Sequence, residues 1–406
     1  MLPPAFSELT NEFFFRTFKL LYSFSAVWVP LVLFGLLLNL WIRYRRTENI
    51  VKSGSVLLEI KLPKEIDKSP LAMEIILTSL FQEGKNDYIK TFWQGKIRPW
   101  FTFELVSIEG KVRFFVWTQP RFRQLIESQF YSQYPGVEIY EAEDYTKGVY
   151  HDPVNLPFWG TNFKLTKADV YPIMTYVDYG LDQNPDEENK IDPMTSVLEF
   201  LGSVKKGEQI WLQILFRAHR KDTFKDDARF REKSDWTEKG KEEIKKKIDE
   251  VRLGETPRPP TKGEANVIAA LERSLSKFPF EVAIRGMYMA KAGSFDAIGI
   301  TGLIGSFRQY SSRTLNGFKL SKFTDFDYPW QDFKRMRRSA REKKFLNAYK
   351  LRSFFYVPYK HLFATPFILN TEELATIFHL PGQVAATPTL SKAVSRKSEP
   401  PANLPI

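Results

Sequence analysis

Phe101–Trp117, FTFELVSIEGKVRFFVW, holds two runs rich in β-branched and aromatic residues, joined by Glu109-Gly110. Such runs around a short glycine turn predict a β-hairpin, Phe101–Ile108 returning as Lys111–Trp117. Upstream, Leu58, Ile60 and Leu62 alternate with Glu59 and Lys61, the period of a half-buried strand. Met73, Ile76, Leu77, Leu80 and Phe81 then repeat at helical spacing until Gly84. Downstream, Phe122, Leu125, Ile126 and Phe130 mark a second helix after Pro120, stopped by Tyr134-Pro135-Gly136. Val137 and Ile139 mark a further strand. The order β-α-β-β-α-β predicts a ferredoxin-like domain over 54–145.

The order recurs over 156–325. Val170–Val177 is expected as an edge strand, because Pro172 cannot donate to a ladder. Asp192 is expected to cap a helix with Pro193 at its first position and Met194, Val197, Leu198 and Leu201 on its apolar face. Ile210 to Phe216 and Phe280 to Ile284 give two strands. Ile300, Leu303, Ile304 and Phe307 give a helix, and Phe318–Leu320 closes the set. Between the second and third strands lies a charged helical insertion, 221–277. The fold class is therefore α+β, with two ferredoxin-like domains in series. Residues 326–380 read as a basic, aromatic helical segment ending in a short capped helix. Residues 381–406 lack apolar periodicity and read as a disordered linker or tail.

Leu20–Ile42, LLYSFSAVWVPLVLFGLLLNLWI, is 23 residues without Asp, Glu, Lys, Arg or His. A helix needs about 20 such residues to cross a bilayer core. The run is too long for the core of a signal peptide and ends in bulky and basic residues. Arg43, Arg45 and Arg46 follow it; Arg16 and Lys19 precede it. The larger basic cluster tends to stay in the cytoplasm, which places residues 1–19 outside and the body inside the cell membrane as a single-pass protein.

The chain has 406 residues, a formal net charge of +11 and no cysteine. That excludes disulfides, thiolate metal sites, Fe–S clusters and cysteine nucleophiles. A basic protein at a membrane has two anionic neighbours, lipid headgroups and nucleic acid. Gly299, Gly302 and Gly305 in GITGLIGS lack the Lys-Ser/Thr of a phosphate loop and suit close helix packing better. His151, His219, His361 and His379 lie far apart without metal-ligand spacing. No catalytic residue, cofactor or metal ligand is nominated. The densest cationic feature is Lys334, Arg335, Arg337, Arg338, Arg341, Lys343 and Lys344, with aromatics on both sides. It suits an anionic partner, DNA or lipid, as well as a solvated helix.

Three strings carry a resemblance: Ser107–Tyr145, Pro358–Gly382 (PYKHLFATPFILNTEELATIFHLPG) and Ser395–Ile406 (SRKSEPPANLPI). They resemble the non-ATPase N-terminal region of membrane-anchored conjugation or type IV secretion ATPases of the FtsK/HerA class, as found in candidate-phyla bacteria. In such relatives a proline-rich segment like Glu399-Pro400-Pro401 leads into the motor domain; here the motor is expected either on a separate polypeptide or on the part missing from a truncated product. The resemblance implies a hexameric motor at the membrane and a DNA or protein substrate. The expected function is thus a non-catalytic membrane anchor or adaptor that docks a motor ATPase. A membrane-tethered DNA-binding protein and an unrecognised membrane-bound enzyme stay open as alternatives, as does self-association into a homo-oligomer.

Overall fold

In a computed structural model the apolar run is shared by two helices, α1 (Pro4–Ser23) and α2 (Ser25–Ser53). Hydrogen bonds cross the junction, from the Phe24 N–H to the Leu20 carbonyl (3.1 Å) and from the Trp28 N–H to the Phe24 carbonyl (3.2 Å). The expected boundaries shift accordingly: Leu20–Ser23 close α1, and α2 runs on past Ile42 to Ser53 with Pro30 inside it. α2 is long and apolar enough to cross a membrane. At about 1.5 Å per residue it extends about 43 Å, more than the ~30 Å of a hydrocarbon core. Leu31, Leu33, Phe34, Leu37 and Leu40 are all more than half exposed.

The structure describes all residues except 1–3, 63–67, 85–87, 183–190, 221–234, 253–258, 327 and 383–406. The tail expected over 381–406 therefore lies outside the described residues from 383 on. So does the first, most charged part of the expected insertion. The chain forms two compact units, one of Met1–Lys52 with Lys85–Ile97, the other of Ser53–Gly84 with the chain from Arg98 on.

The second unit begins with β1 (Val56–Lys61) and α3 (Leu71–Ser79). α4 (Tyr88–Gln94) follows in sequence but belongs to the first unit. Then come β2 (Phe101–Ile108), β3 (Lys111–Thr118), α5 (Arg123–Gln133) and β4 (Glu138–Glu141). β5 (Phe158–Leu165), α6 (Pro193–Gly202) and β6 (Glu208–Ala218) lead to the insertion helices α7 (Trp236–Arg252) and α8 (Lys262–Leu275). β7 (Pro279–Ala290), α9 (Ala297–Gly305) and β8 (Phe318–Phe323) complete the repeated order. α10 (Met336–Lys350), β9 (Phe367–Asn370) and α11 (Thr371–Ile377) follow.

The strands form one antiparallel sheet in the order β4-β1-β3-β2-β6-β7-β5-β8, with β9 on β7. β2 and β6 pair from Phe101↔Phe216 to Ile108↔Gln209. Each would otherwise be the open edge of its own half; pairing them removes two unsatisfied edges from solvent. One apolar core lies on one face of the sheet and takes in both halves, from Leu58, Phe103 and Phe114 to Leu212 and Ile284. α3, α5, α6 and α9 cover it, and α11 packs against α3 and α6.

The first strand of the second half is corrected. Phe158–Leu165 occupies that place, paired with β7 and β8, and Val170–Val177 is irregular. Trp159, Phe163 and Leu165 point into the apolar core, while the intervening Gly160 and Asn162 point to the opposite face. No clean apolar alternation is left for a pattern reading to find. Val170–Val177 instead threads the helical layer: the Ile173 N–H donates to Glu373 (2.9 Å) and the Tyr176 N–H to the Thr376 hydroxyl (3.0 Å).

The segment 326–380 belongs to the second unit. α10 lies on the sheet face opposite the apolar core, where Phe345 covers Gly160; a Cβ there would come within 2.6 Å of the ring. Phe354, Phe355 and Tyr356 after α10 are buried on the same side. The body therefore has three layers. Asn370 caps α11 through a reciprocal bond with Glu373, and Asp192 caps α6 as expected. His379 joins these two helices. Its Nδ1–H donates to the Ala375 carbonyl (2.9 Å) and its Nε2–H faces both Asp192 oxygens (3.2 and 3.1 Å). Two acceptors require two N–H groups, so the ring is an imidazolium. Burial alone would lower its pKa; the Asp192 carboxylate outweighs this and raises it.

Two measurements check this arrangement. Gly160→Ala should destabilise the body by about 1–3 kcal/mol by overpacking against Phe345, while Gly263→Ala, with open space around it, should be neutral or slightly stabilising in the same denaturant titration. The His379–Asp192 pair should contribute fully below the unfolded imidazole value of about 6.5 and lose its contribution as pH rises through the higher folded value. His379→Gln should flatten that limb of the stability–pH curve.

Candidate functional site

Two charged features stand out, one sealed and one open. The sealed one lies at the centre of the sheet. Glu104, Gln213, Arg285 and Asn162 are register partners across β2, β6, β7 and β5, forming one polar row on the face opposite the apolar core. The Gln213 amide donates to Glu104 (2.8 Å) and Arg285 donates to Gln213 (3.4 Å). The chain after α10 closes over the row. Arg352 forms a two-pronged pair with Glu104 (2.9 and 3.0 Å) and also binds Asp144. Arg285 donates to the Ser353 carbonyl, and the Asn162 amide to the Leu362 carbonyl (2.6 Å). The Tyr145 hydroxyl donates to Glu104 (2.8 Å) and lies 3.1 Å from the Tyr349 hydroxyl.

Glu104, Gln213, Arg285, Tyr349 and Arg352 are at most 1% exposed. Burial disfavours the cation of Arg285 and brings its pKa down to about 9, so it stays charged at neutral pH. Burial acts the same way on Arg352, but the Glu104 carboxylate outweighs it and pushes the guanidinium well above its usual value. Burial raises both tyrosine hydroxyls far above the ordinary phenol value, keeping them neutral donors. Arg352 holds a left-handed backbone (φ 47°), a conformation unfavourable for any residue that carries a Cβ and sustained here by the pairs its guanidinium makes. With solvent excluded and its polar groups paired, apart from the Asn162 side-chain oxygen, the row acts as a latch between the sheet and the segment after α10.

A second buried knot lies nearby on the same face. Glu281 takes Arg98 (3.0 Å) and Arg217 (2.7 and 2.8 Å), with His219 at 3.5 Å. Burial alone would raise the Glu281 carboxyl; Arg217, His219 and Arg98 outweigh it and hold the group well below the usual carboxylate range. Arg217 also lies over the rings of Phe355 (4.6 Å) and Tyr356 (5.3 Å), tying the same segment down. Of these residues only His219 stands out in the sequence, and there without a partner. The available signal is a long charged or amide side chain inside each largely apolar strand: Glu104 in FTFELVSI, Gln213 in IWLQILF, Arg285 in VAIRGMYM.

The open feature is the cationic run at the start of α10, and its seven members do not form one surface. Arg338 is held by Glu342 and Asp325, each at 2.8 Å. Arg341 stacks on Phe326 (3.8 Å), and Arg337 lies over the same ring (5.3 Å) while donating to the Gln331 carbonyl. Asp332 accepts the backbone N–H groups of Arg337 and Arg338, capping the helix start. Lys334, Arg335, Lys343 and Lys344 are exposed. Beside them Trp330 and Phe333 are 78% and 77% exposed, and Trp330 stacks on Tyr328 (4.6 Å between centroids). Exposed rings interleaved with cations suit an anionic, flat-faced partner.

Of the three arginines after the apolar run, Arg43 is exposed, Arg46 is buried, and Arg45 reaches Glu48 and the Trp93 carbonyl. In the glycine-rich stretch a Cβ at Gly299 would strike Tyr288 (2.6 Å) and one at Gly302 would strike Phe200 (2.0 Å), whereas Gly305 has open space around it. Gly299 and Gly302 serve close packing, as expected; Gly305 does not. Among the described residues no group of three or more His, Asp or Glu is placed to hold a metal ion.

Among the described residues, fold and surfaces define an α+β protein with one membrane-compatible helix and a single large antiparallel sheet. The chain belongs to a family described as a domain of unknown function (DUF8128), whose model matches residues 46–393. No curated protein matches it. Among solved structures a chitooligosaccharide oxidase aligns with 77% of this chain and 54% of its own, at 14% identity and a TM-score of 0.29. The chain thus spans about half the length of that protein, and a score so low carries no argument about fold or activity.

The latch can be weighed directly. Arg352→Met should cost about 3–5 kcal/mol by leaving Glu104 buried without its partner, and Glu104→Gln in the same chain should recover part of that loss. Denaturant unfolding of the two single variants and the double variant measures the coupling.

Proposed function

We propose that this chain is a non-catalytic single-pass anchor whose cytoplasmic body docks a motor ATPase. One observation carries the reading. The charged groups concentrated in the body are sealed between layers, and what faces solvent near α10 is a set of cations and rings suited to binding. α2 and the three basic residues at its C-terminal side support an N-terminus outside and a body in the cytoplasm. The two halves, each β-α-β-β-α-β in the strand order fourth-first-third-second, support a pair of ferredoxin-like units fused edge to edge through β2 and β6. The resemblance to N-terminal regions of secretion and conjugation motors supplies the partner.

A second reading is favoured by the exposed Trp330 and Phe333 beside Lys334 and Arg335: the same surface grips single-stranded DNA passing through the motor. One set of titrations separates the two. The full chain in nanodiscs is mixed with a candidate motor ATPase of the FtsK/HerA class, and with single-stranded DNA. A stable co-eluting complex with the ATPase is the expected result; its absence sinks the adaptor reading. DNA affinity that falls steeply with salt, and whose salt slope shrinks by about 0.7 for each lysine or arginine removed among Lys334, Arg335, Lys343 and Lys344, supports the second. Arg338 is left intact in that series, because it holds the helix start.

A further inference from the structure

Between α3 and β2 the chain leaves the sheet unit and joins α2. The short helix α4 does this with an unusual closure. A helix's last carbonyls have no partner within the helix. Here three successive ones are taken by side chains of α2: Trp41 Nε1–H donates to the Phe92 carbonyl (3.1 Å), Arg45 Nε–H to Trp93 (2.5 Å) and Asn49 Nδ2–H to Gln94 (3.3 Å). Residues 41, 45 and 49 are four apart and so form one stripe along α2. Trp41 and Trp93 also meet edge to face, 6.1 Å between centroids. Gly95 then turns the chain away at φ 63°, and a Cβ there would come within 2.1 Å of the Arg45 carbonyl oxygen. Only glycine allows both the dihedral and the approach.

This junction sits where the apolar run ends. Trp41 is its penultimate residue, and Asn49 lies two turns further on. The face that α4 turns outward is apolar at its i, i+4 pair: Ile89 is 72% exposed and Trp93 58%. Tyr44 on α2, beside Trp41, is 62% exposed. Lys90 and Lys96 are exposed among them. Large apolar side chains left open next to a helix that is itself apolar and open call for one medium that covers both. Tryptophan and tyrosine with lysine at hand are the residues favoured where acyl chains meet headgroups.

We propose that α4 lies in the headgroup–acyl boundary of the bilayer that α2 crosses, with Ile89 and Trp93 in the outer acyl region. It acts as a collar that sets the depth at which α2 leaves the membrane. The partner surface is lipid, and the proposal rests on the reading of α2 as a span. Because the chain has no cysteine, single cysteines can report depth in the full-length protein. Ile89→Cys, Leu37→Cys within the span and Tyr150→Cys on the exposed body are each labelled with a nitroxide in nanodiscs of phosphatidylcholine and phosphatidylglycerol. Accessibility to oxygen is compared with accessibility to a soluble nickel chelate. The expected result is a strongly oxygen-weighted signal at position 37, an intermediate but clearly oxygen-weighted one at 89, and a nickel-weighted one at 150. Position 89 matching 150 while 37 stays deep overturns the collar and leaves the anchor standing. Low accessibility of 89 to both reagents means a protein covers it, which also overturns the proposal. A nickel-weighted signal at 37 removes the span itself, and the collar with it. Gly95→Val, which cannot keep the approach to Arg45, should move the signal at 89 toward water and leave 37 unchanged.

Discussion

The pairing of β2 with β6 is the constraint on which the body depends. Each strand would be the outer strand of its own half, with a row of unpaired amide and carbonyl groups. Joined over eight register pairs, they become the middle of one sheet. A sheet this wide can carry a single apolar core on one face, and the described core residues indeed come from both halves. Helix α11, late in the chain, then packs against α3 from the first half and α6 from the second. The halves repeat an order of elements, yet they share a sheet and a core.

The same width creates a second face that must also be covered. The segment from α10 onward covers it, and at the sheet's centre it meets four polar side chains from four neighbouring strands instead of a second oil-like core. Arg352 answers Glu104, and backbone carbonyls after α10 answer Arg285 and Asn162. A buried ion pair is costly to desolvate and adds little net stability over apolar packing. What it adds is selection: a shifted strap would strand Glu104 or Arg285 without a partner in a low-dielectric layer. Together with the Glu281 knot, the row fixes where the C-terminal segment lies. That in turn fixes where α10 presents its exposed rings and cations.

Much of this was legible in local pattern. The hairpin at Glu109-Gly110, the Asp192 cap with Pro193, the capped helix after Asn370 and the close-packing glycines 299 and 302 all follow from residues a few positions apart. β5 was not legible, because Gly160 and Asn162 break its apolar alternation on the face that α10 and its following segment cover. The cationic run was legible as charge but not as a surface: Arg338 and Arg341 are drawn inward by Glu342, Asp325 and Phe326, partners that a count of charges does not reveal.

The sequence by itself determined the apolar helix, the α+β class, the doubled order of elements and the absence of thiol chemistry. These depend on composition and on periods of two or about three and a half residues, which are properties of neighbouring positions. Only the tertiary structure decided that β2 meets β6, that the C-terminal segment forms a third layer, that Glu104 meets Arg352 and that α4 is capped by α2. Those contacts join residues from 45 to 248 positions apart. Nothing periodic encodes them; they arise because open strand edges, buried charges and unpaired carbonyls each need a partner, and the fold brings one within reach.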